Sequence, residues 1–246
     1  MNHYVGLDVS LEQTAICVVD DDGKPHWQGK GASTPEMLVA AIRMRAPLAA
    51  RIGLESGPLS LWHWHALRQA GLPVVCLDAR HAKAALSLQL NKSDRNDARG
   101  LAQIVRTGPR PSAAAVPSGM DRRRCRRWYR EVAVKSFDSQ LIRSLLTTRA
   151  QLVRMRVDLA NQIRGVLKPF GLMAGKGGGQ AFADQVRALV AKGPLQTVAE
   201  ALLAAWQAAS SQVPTRTRRL LGLARQDQAV KRLMTTPGVG TIVALT

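Results

Sequence analysis

Four carboxylates stand where the residues around them could put them to chemical use: Asp8, Glu55, Asp94 and Asp97. Asp8 sits between Leu7 and Val9 in a short apolar run suited to a buried strand, a setting in which Asp is depleted. Glu55 closes another such run, RIGLE. Asp94 and Asp97 lie three apart at the start of a helical stretch, hence on one face. Carboxylates gathered in one place repel each other unless a cation neutralises them. The expected cation is magnesium, a hard ion held by oxygens. Two such ions about 4 Å apart activate a nucleophile and stabilise a leaving oxygen in phosphodiester chemistry. Each residue also has a plain structural role open to it. Asp8 could be an edge-strand charge, and Asp94 and Asp97 could complement a helix dipole. Asp20, Asp21 and Asp22, followed by Gly23, read as a solvated hairpin tip.

These acids need elements to position them. Apolar and β-branched runs predict strands over residues 4–9, 14–19, 26–31, 51–55 and 73–77. Helices are expected over 35–45, opened by Pro35 with Glu36 in the first turn, and over 58–70, stopped by Gly71. Two more are expected over 79–88 and over 94–106, the latter with Ser93 as N-cap. Three strands in meander followed by strands alternating with helices resembles the order of an RNase H-like fold. In that α/β sheet the first and fourth strands are neighbours, and a following helix brings its acids over them.

The second half of the chain reads differently. Over residues 137–167, Leu141, Leu145, Thr148, Leu152, Met155, Leu159 and Ile163 form a near-heptad seam. That spacing predicts a coiled coil or a two-helix packing face, within one chain or between two copies. Pro169 and Gly171 end the helix, and the glycines of 175–179 form a break without the spacing of a phosphate loop. Helices follow over 180–192 and 195–212; Pro214 is expected to interrupt, with a further helix over 217–234.

The chain of 246 residues carries 35 Lys and Arg against 17 Asp and Glu, a net charge of +18. Residues 1–100 are nearly balanced at +1, and residues 101–246 hold +17. A compact acid-bearing unit is thus joined to one that grips a polyanion, most often nucleic acid. The side chains set for that grip are Arg95, Arg99, Arg143, Arg149, Arg154, Arg156, Arg164, Lys168, Arg218 and Arg219. The apolar share of 46% excludes a disordered polyelectrolyte. No apolar run approaches about 18 residues, so no membrane span is expected. No secretory signal opens the chain, and a reducing cytoplasm is the expected compartment. Cys17, Cys76 and Cys125 form no CxxC pair and give neither a disulfide framework nor a zinc site. In the run WHWH, His63 and His65 are two apart and do not share a helix face, so Leu61 and Trp62 are read as packing residues instead. Ser10 and Ser56 read as turn formers, and no Gly-x-Ser-x-Gly elbow is present.

The motifs VGLDVS, GLESGP and NKSDRNDARGLAQIVRTG resemble the DEDD transposases of bacterial insertion sequences, the IS110 family. WYREVAVKS, the helix from SQLIRSLL to NQIRG, and LMTTPGVGTIVA extend the resemblance over nearly the whole chain. It implies that Asp8, Glu55, Asp94 and Asp97 are the metal-binding acids of a RuvC-like domain over residues 1–108. It implies a coiled-coil helix over 128–170, a linker with basic helices over 171–234, and the start of a C-terminal transposase domain at 235–246. The partners it implies are DNA and, in some members, a guide RNA; a homo-oligomer is also expected. The place would be the bacterial cytoplasm at the nucleoid. PGVG resembles a helix-hairpin-helix turn, in which backbone N–H groups near Gly238 and Gly240 would hold a phosphate.

Two departures stand out. Residues 109–127 intervene where the family runs from RTG straight into WYREV. They are rich in Pro, Ala and Arg and read as an inserted loop; without them the net charge is still +13. The family's nucleophilic serine belongs to a domain beyond PGVG, and no serine here takes that role. A truncated transposase that binds nucleic acid without completing strand exchange is therefore the expectation. The competing readings are a non-catalytic binding module, a RuvC-type resolvase and an actin-like ATPase. The ATPase would want Gly where Ser10 stands.

Overall fold

β1 (His3–Val9) and β2 (Gln13–Val19) form an antiparallel hairpin, and β3 (Pro25–Ala32) returns against β2. Gly23, at φ 82°, takes the left-handed conformation that the turn between β2 and β3 needs. The structure is a computed structural model and describes residues 2–86, 94–108, 129–191 and 193–246. Ser93, with its expected capping role, Cys125 and the whole 109–127 segment lie outside the described residues.

After the meander come α1 (Pro35–Arg45), β4 (Ala49–Glu55), α2 (Ser60–Gln69), β5 (Val74–Leu77), α3 (Ala79–Leu86) and α4 (Asp94–Thr107). The sheet order is β3-β2-β1-β4-β5. β4 runs parallel to β1, and β5 parallel to β4. Period-two alternation sorts the strand residues into two cores. Val5, Leu7, Ile16, Val18, Ile52, Leu54, Val74 and Cys76 join Leu38, Ile42 and Leu67 of α1 and α2 on one face. Tyr4, Ala15, Cys17, Val19 and Leu77 meet Ala98, Leu101, Ala102 and Val105 of α4 on the other. This is an α/β architecture of helix, mixed sheet and helix. Residues 129–134 then run along the free edge of β5. The Arg130 carbonyl accepts from the Asp78 N–H, the Val132 N–H donates to the Cys76 carbonyl, and Glu131 bridges to Leu77.

Trp62 does not pack inward as expected; it is 45% exposed, and its neighbour His63 is buried in its place. The helix begins at Ser60 rather than at Pro58, and the inward stripe falls on His63 and Leu67. The two ring nitrogens of His63 lie 2.9 Å from the Leu59 carbonyl and 3.2 Å from the Ser33 carbonyl. An imidazole N–H donates to one of these carbonyls, so the buried ring is held by the backbone of its own fold.

The chain divides into two compact units, Met1–Lys135 and Ser136–Thr246. In the second, Ser136 caps α5 (Phe137–Leu167) by accepting from the Ser139 N–H. A short 3₁₀ turn, Lys168–Phe170, and Gly171 at φ 72° end it. Next come α6 (Gly179–Val190), α7 (Gln196–Gln226), α8 (Gln228–Leu233) and α9 (Thr241–Ala244). Ile163 and Leu167 share a core with Phe182, Val186, Leu203 and Trp206, and Arg149 Nε donates to Thr217 Oγ1 at 2.9 Å. Those pairings make α5 and α7 an antiparallel pair within one chain. One expectation is corrected here. Pro214 does not interrupt: α7 passes through it unbroken, with Ala209, Val213 and Leu220 buried on either side. A continuous buried stripe outweighs the backbone bond that Pro cannot make. The near-heptad seam provides a two-helix packing face toward its C-terminal end, where Leu159 and Ile163 join the core with Leu203 and Trp206 of α7, whereas Leu141 and Met155 are 46% and 43% exposed.

Candidate functional site

α4 lies unusually close on the sheet, because glycines face it. A Cβ on Gly6 would run into the Ala98 carbonyl oxygen and the Ala102 nitrogen, and one on Gly53 into a Val105 methyl. Gly6 and Gly53 are register partners on β1 and β4. The side chains two residues on, Asp8 and Glu55, therefore project from this same face. Leu7 pairs with Leu54, so the next step of the parallel register puts Asp8 beside Glu55, with backbones about 4.8 Å apart. A full row of the sheet follows: Lys30, Ala15, Asp8, Glu55 and Leu77 stand side by side across five strands.

Asp94 and Asp97 occupy the first turn of α4, where the helix dipole favours negative charge. Asp94 is exposed and turned toward β3: Lys30 Nζ donates to its Oδ2 at 2.6 Å. That hydrogen bond, and the ammonium charge behind it, hold the Asp94 carboxyl below the usual carboxylate range. One residue on, Arg95 Nε donates to Gln28 Oε1 at 2.5 Å, so the start of α4 is tied to β3 twice. Further along, Arg51 Nη1 donates to the Val105 carbonyl, and Arg106 Nη1 to the Asp21 carbonyl. α4 thus crosses the sheet from β3 over β1 to β4.

The four acids consequently share one face. Asp8 and Glu55 are paired by register, whereas Asp94 is drawn off toward β3. Among the described residues no group of three or more His, Cys, Asp or Glu gathers closely enough to hold a metal ion. In chemistry the set fits a hard divalent ion, since every donor is a carboxylate oxygen. Lys30 is the residue of this site that no sequence motif marks. Its partner is 64 positions away, and only the antiparallel register of β2 and β3 brings it level with Asp8. The Cys76 thiol, on β5 and on the opposite face of the sheet from the acids, is pushed up to about 11 by burial, as befits a core thiol.

The basic residues fall into two kinds. Arg143, Arg154, Lys168, Arg218 and Arg219 are exposed, and Arg99 is exposed on α4. Arg164 is committed to structure. It donates to the Gly175 and Gly177 carbonyls and covers the Phe182 ring at 4.8 Å. Arg149 is engaged with Thr217, and Arg156 is half-buried. At the end of the chain, Gly238 is left-handed at φ 83° and Gly240 caps the four-residue α9, so PGVG forms a turn between two short helices.

Residues 5–119 match the family model of the DEDD transposases of IS110 elements. The chain is similar to the transposase for insertion sequence element IS1111A of Coxiella burnetii, 23% identical over 248 residues, covering 98% of this chain and 61% of that protein. It is also similar to a Pseudomonas aeruginosa protein named "Probable family 20 transposase", 28% identical over 159 residues, covering 62% of this chain and 42% of that protein. The chain spans less than two thirds of the length of either relative. The segment of residues 5–119 is thus a DEDD transposase domain of the IS110 family.

Proposed function

We propose that the first unit is an RNase H-like (RuvC-like) catalytic domain that cleaves and transfers DNA phosphodiester strands with magnesium. The observation that carries this is the pairing of Asp8 with Glu55 at the ends of parallel neighbours, on the face covered by a helix whose first turn bears Asp94 and Asp97. The order β3-β2-β1-β4-β5 is the one that reading requires. Asp8, Glu55, Asp94 and Asp97 would hold the metal, which when bound supplies an activated nucleophile and neutralises the leaving oxygen. Asp8 and Glu55 fix the sheet side of the site, and the close seat of α4 on Gly6 sets the height of the helix acids above it. Arg95 and Arg99 on α4, and the exposed basic side chains of α5 and α7, would neutralise backbone phosphates and position the strand. PGVG would add backbone N–H groups to that grip, and a guide RNA is a second polyanion suited to the same arginines. Such an enzyme works in the bacterial cytoplasm as a homo-oligomer. Among the described residues no helix is long and apolar enough to cross a membrane.

A non-catalytic DNA- or RNA-binding role is the second reading, favoured by the absence, among the described residues, of a gathered group of three acids. Incubation with supercoiled plasmid and Mg²⁺ separates the two. The catalytic reading expects nicking that disappears with EDTA and in Asp8→Ala. Steeply salt-dependent binding without nicking refutes it and leaves the binding role.

A further inference from the structure

We propose that Lys30 is a positioning residue that serves as the site's resident cation, holding Asp94 over β3 and competing with a divalent ion for that carboxylate. This rests on the metal-site reading above and adds to it a residue and a step. The Lys30 ammonium is 2.6 Å from Asp94 Oδ2, a charge-assisted hydrogen bond of good length. Lys30 stands in the same row of the sheet as Asp8, two strands away, with Ala15 between them. Two strand spacings are about 10 Å, and Ala15 carries only a methyl, so no bulky side chain of that row stands between Lys30 and Asp8. Asp94 is 66% exposed and Lys30 48% exposed, so the pair can part without unmaking any core. The same exposure keeps its strength to that of a surface ion pair, low enough for a divalent ion to displace. Once Asp94 turns from β3 toward Asp8 and Glu55, the freed ammonium remains level with the acids. There it can meet a non-bridging phosphate oxygen of the incoming strand.

The test is calorimetric titration of Mn²⁺ into the metal-stripped full chain. Lys30→Gln is expected to bind Mn²⁺ about two- to five-fold more tightly than wild type, the fold-change that corresponds to an exposed ion pair. Lys30→Arg, which keeps the cation, is expected to stay near wild type. Lys24→Gln removes the same charge from the turn between β2 and β3 and is expected to have less effect than Lys30→Gln. In an Asp94→Asn background, Lys30→Gln is expected to change nothing. Equal tightening in Lys24→Gln, or tightening that persists without Asp94, overturns the assignment. So does Mn²⁺ binding that is lost in Asp8→Asn but indifferent to Lys30→Gln, an outcome that leaves the metal site intact. Failure of the wild-type chain to bind Mn²⁺ overturns both. Thermal unfolding without metal shows that the half-exposed Lys30→Gln variant is folded.

Discussion

Gly6→Ala puts a methyl group where β1 and α4 meet backbone to backbone. The added carbon would lie 3.0 Å from the Leu101 carbonyl carbon and closer still to the Ala98 oxygen and Ala102 nitrogen. An ordinary carbon–oxygen contact is about 3.3–3.6 Å, so α4 must retreat by roughly 1.5 Å. No flexible side chain is available to give way, because all three neighbours are helix backbone. Overpacking a dense interior costs about 1–3 kcal/mol, and this case belongs at the upper end. Alanine recovers up to about 1 kcal/mol by restricting the unfolded chain. The net expectation is about 2 kcal/mol of destabilisation, roughly a 30-fold loss of amide protection. Hydrogen–deuterium exchange read on peptides from β1 and α4 confines the measurement to the first unit. The same displacement moves Asp94 and Asp97 away from Asp8, and a misplacement of about 1 Å costs on the order of 100-fold in a positioned reaction. Mg²⁺-dependent nicking should therefore fall by more than stability alone explains at a temperature where the variant is folded. Protection within two-fold of wild type in both peptides would refute the claim that glycine sets the seat of α4.

Pro214→Ala restores a backbone donor inside α7 and should stabilise the second unit by about 1–3 kcal/mol, measured as a rise in the unfolding midpoint followed through Trp206. His3 is held below its ordinary value, first because burial penalises its charge and then because the charge of His26, whose ring centroid lies 5.2 Å away, repels it. The unfolded chain therefore takes up a proton more readily than the folded one. The stability His3 contributes is full above pH 6.5 and is lost as the pH falls through its lowered folded value. Replacing it in His3→Gln should flatten the stability profile below pH 6.5 in a urea titration series. Replacing Arg218 and Arg219 by Gln should weaken binding to duplex DNA evenly across sequences. It should also reduce the slope of log K against log salt by about 1 for each phosphate left without its arginine.

The meander is legible in the residues because β2 is apolar on both faces and its turn is written in Asp and Gly. α4 is legible as well, since its acids and its Ala98, Leu101, Ala102 and Val105 stripe obey the helical period. What escapes the sequence depends on neighbours distant in the chain. The Lys30–Asp94 pair exists only through strand register. The outward turn of Trp62 follows from a helix that starts two residues later than Pro58 suggests. Pro214 is a local stop signal, and only the packing of α7 on α5 explains why the helix continues. The heptad seam is a true apolar stripe. Leu159 and Ile163 of that stripe meet α7 while Leu141 and Met155 stay exposed, so spacing alone does not say which part of the stripe is buried.

Gly108 touches the Tyr129 ring, and residues 129–134 are fastened along β5. The chain thus leaves the first unit's core and re-enters it at almost the same point. The two ends of whatever lies between are held together by contacts that do not depend on it. For such a closed segment, doubling the length adds only about 0.6 kcal/mol of closure entropy. This position is accordingly a natural port for engineering. A fluorescent label, an affinity tag or a small domain placed between Gly108 and Tyr129 should leave the sheet and its carboxylates undisturbed.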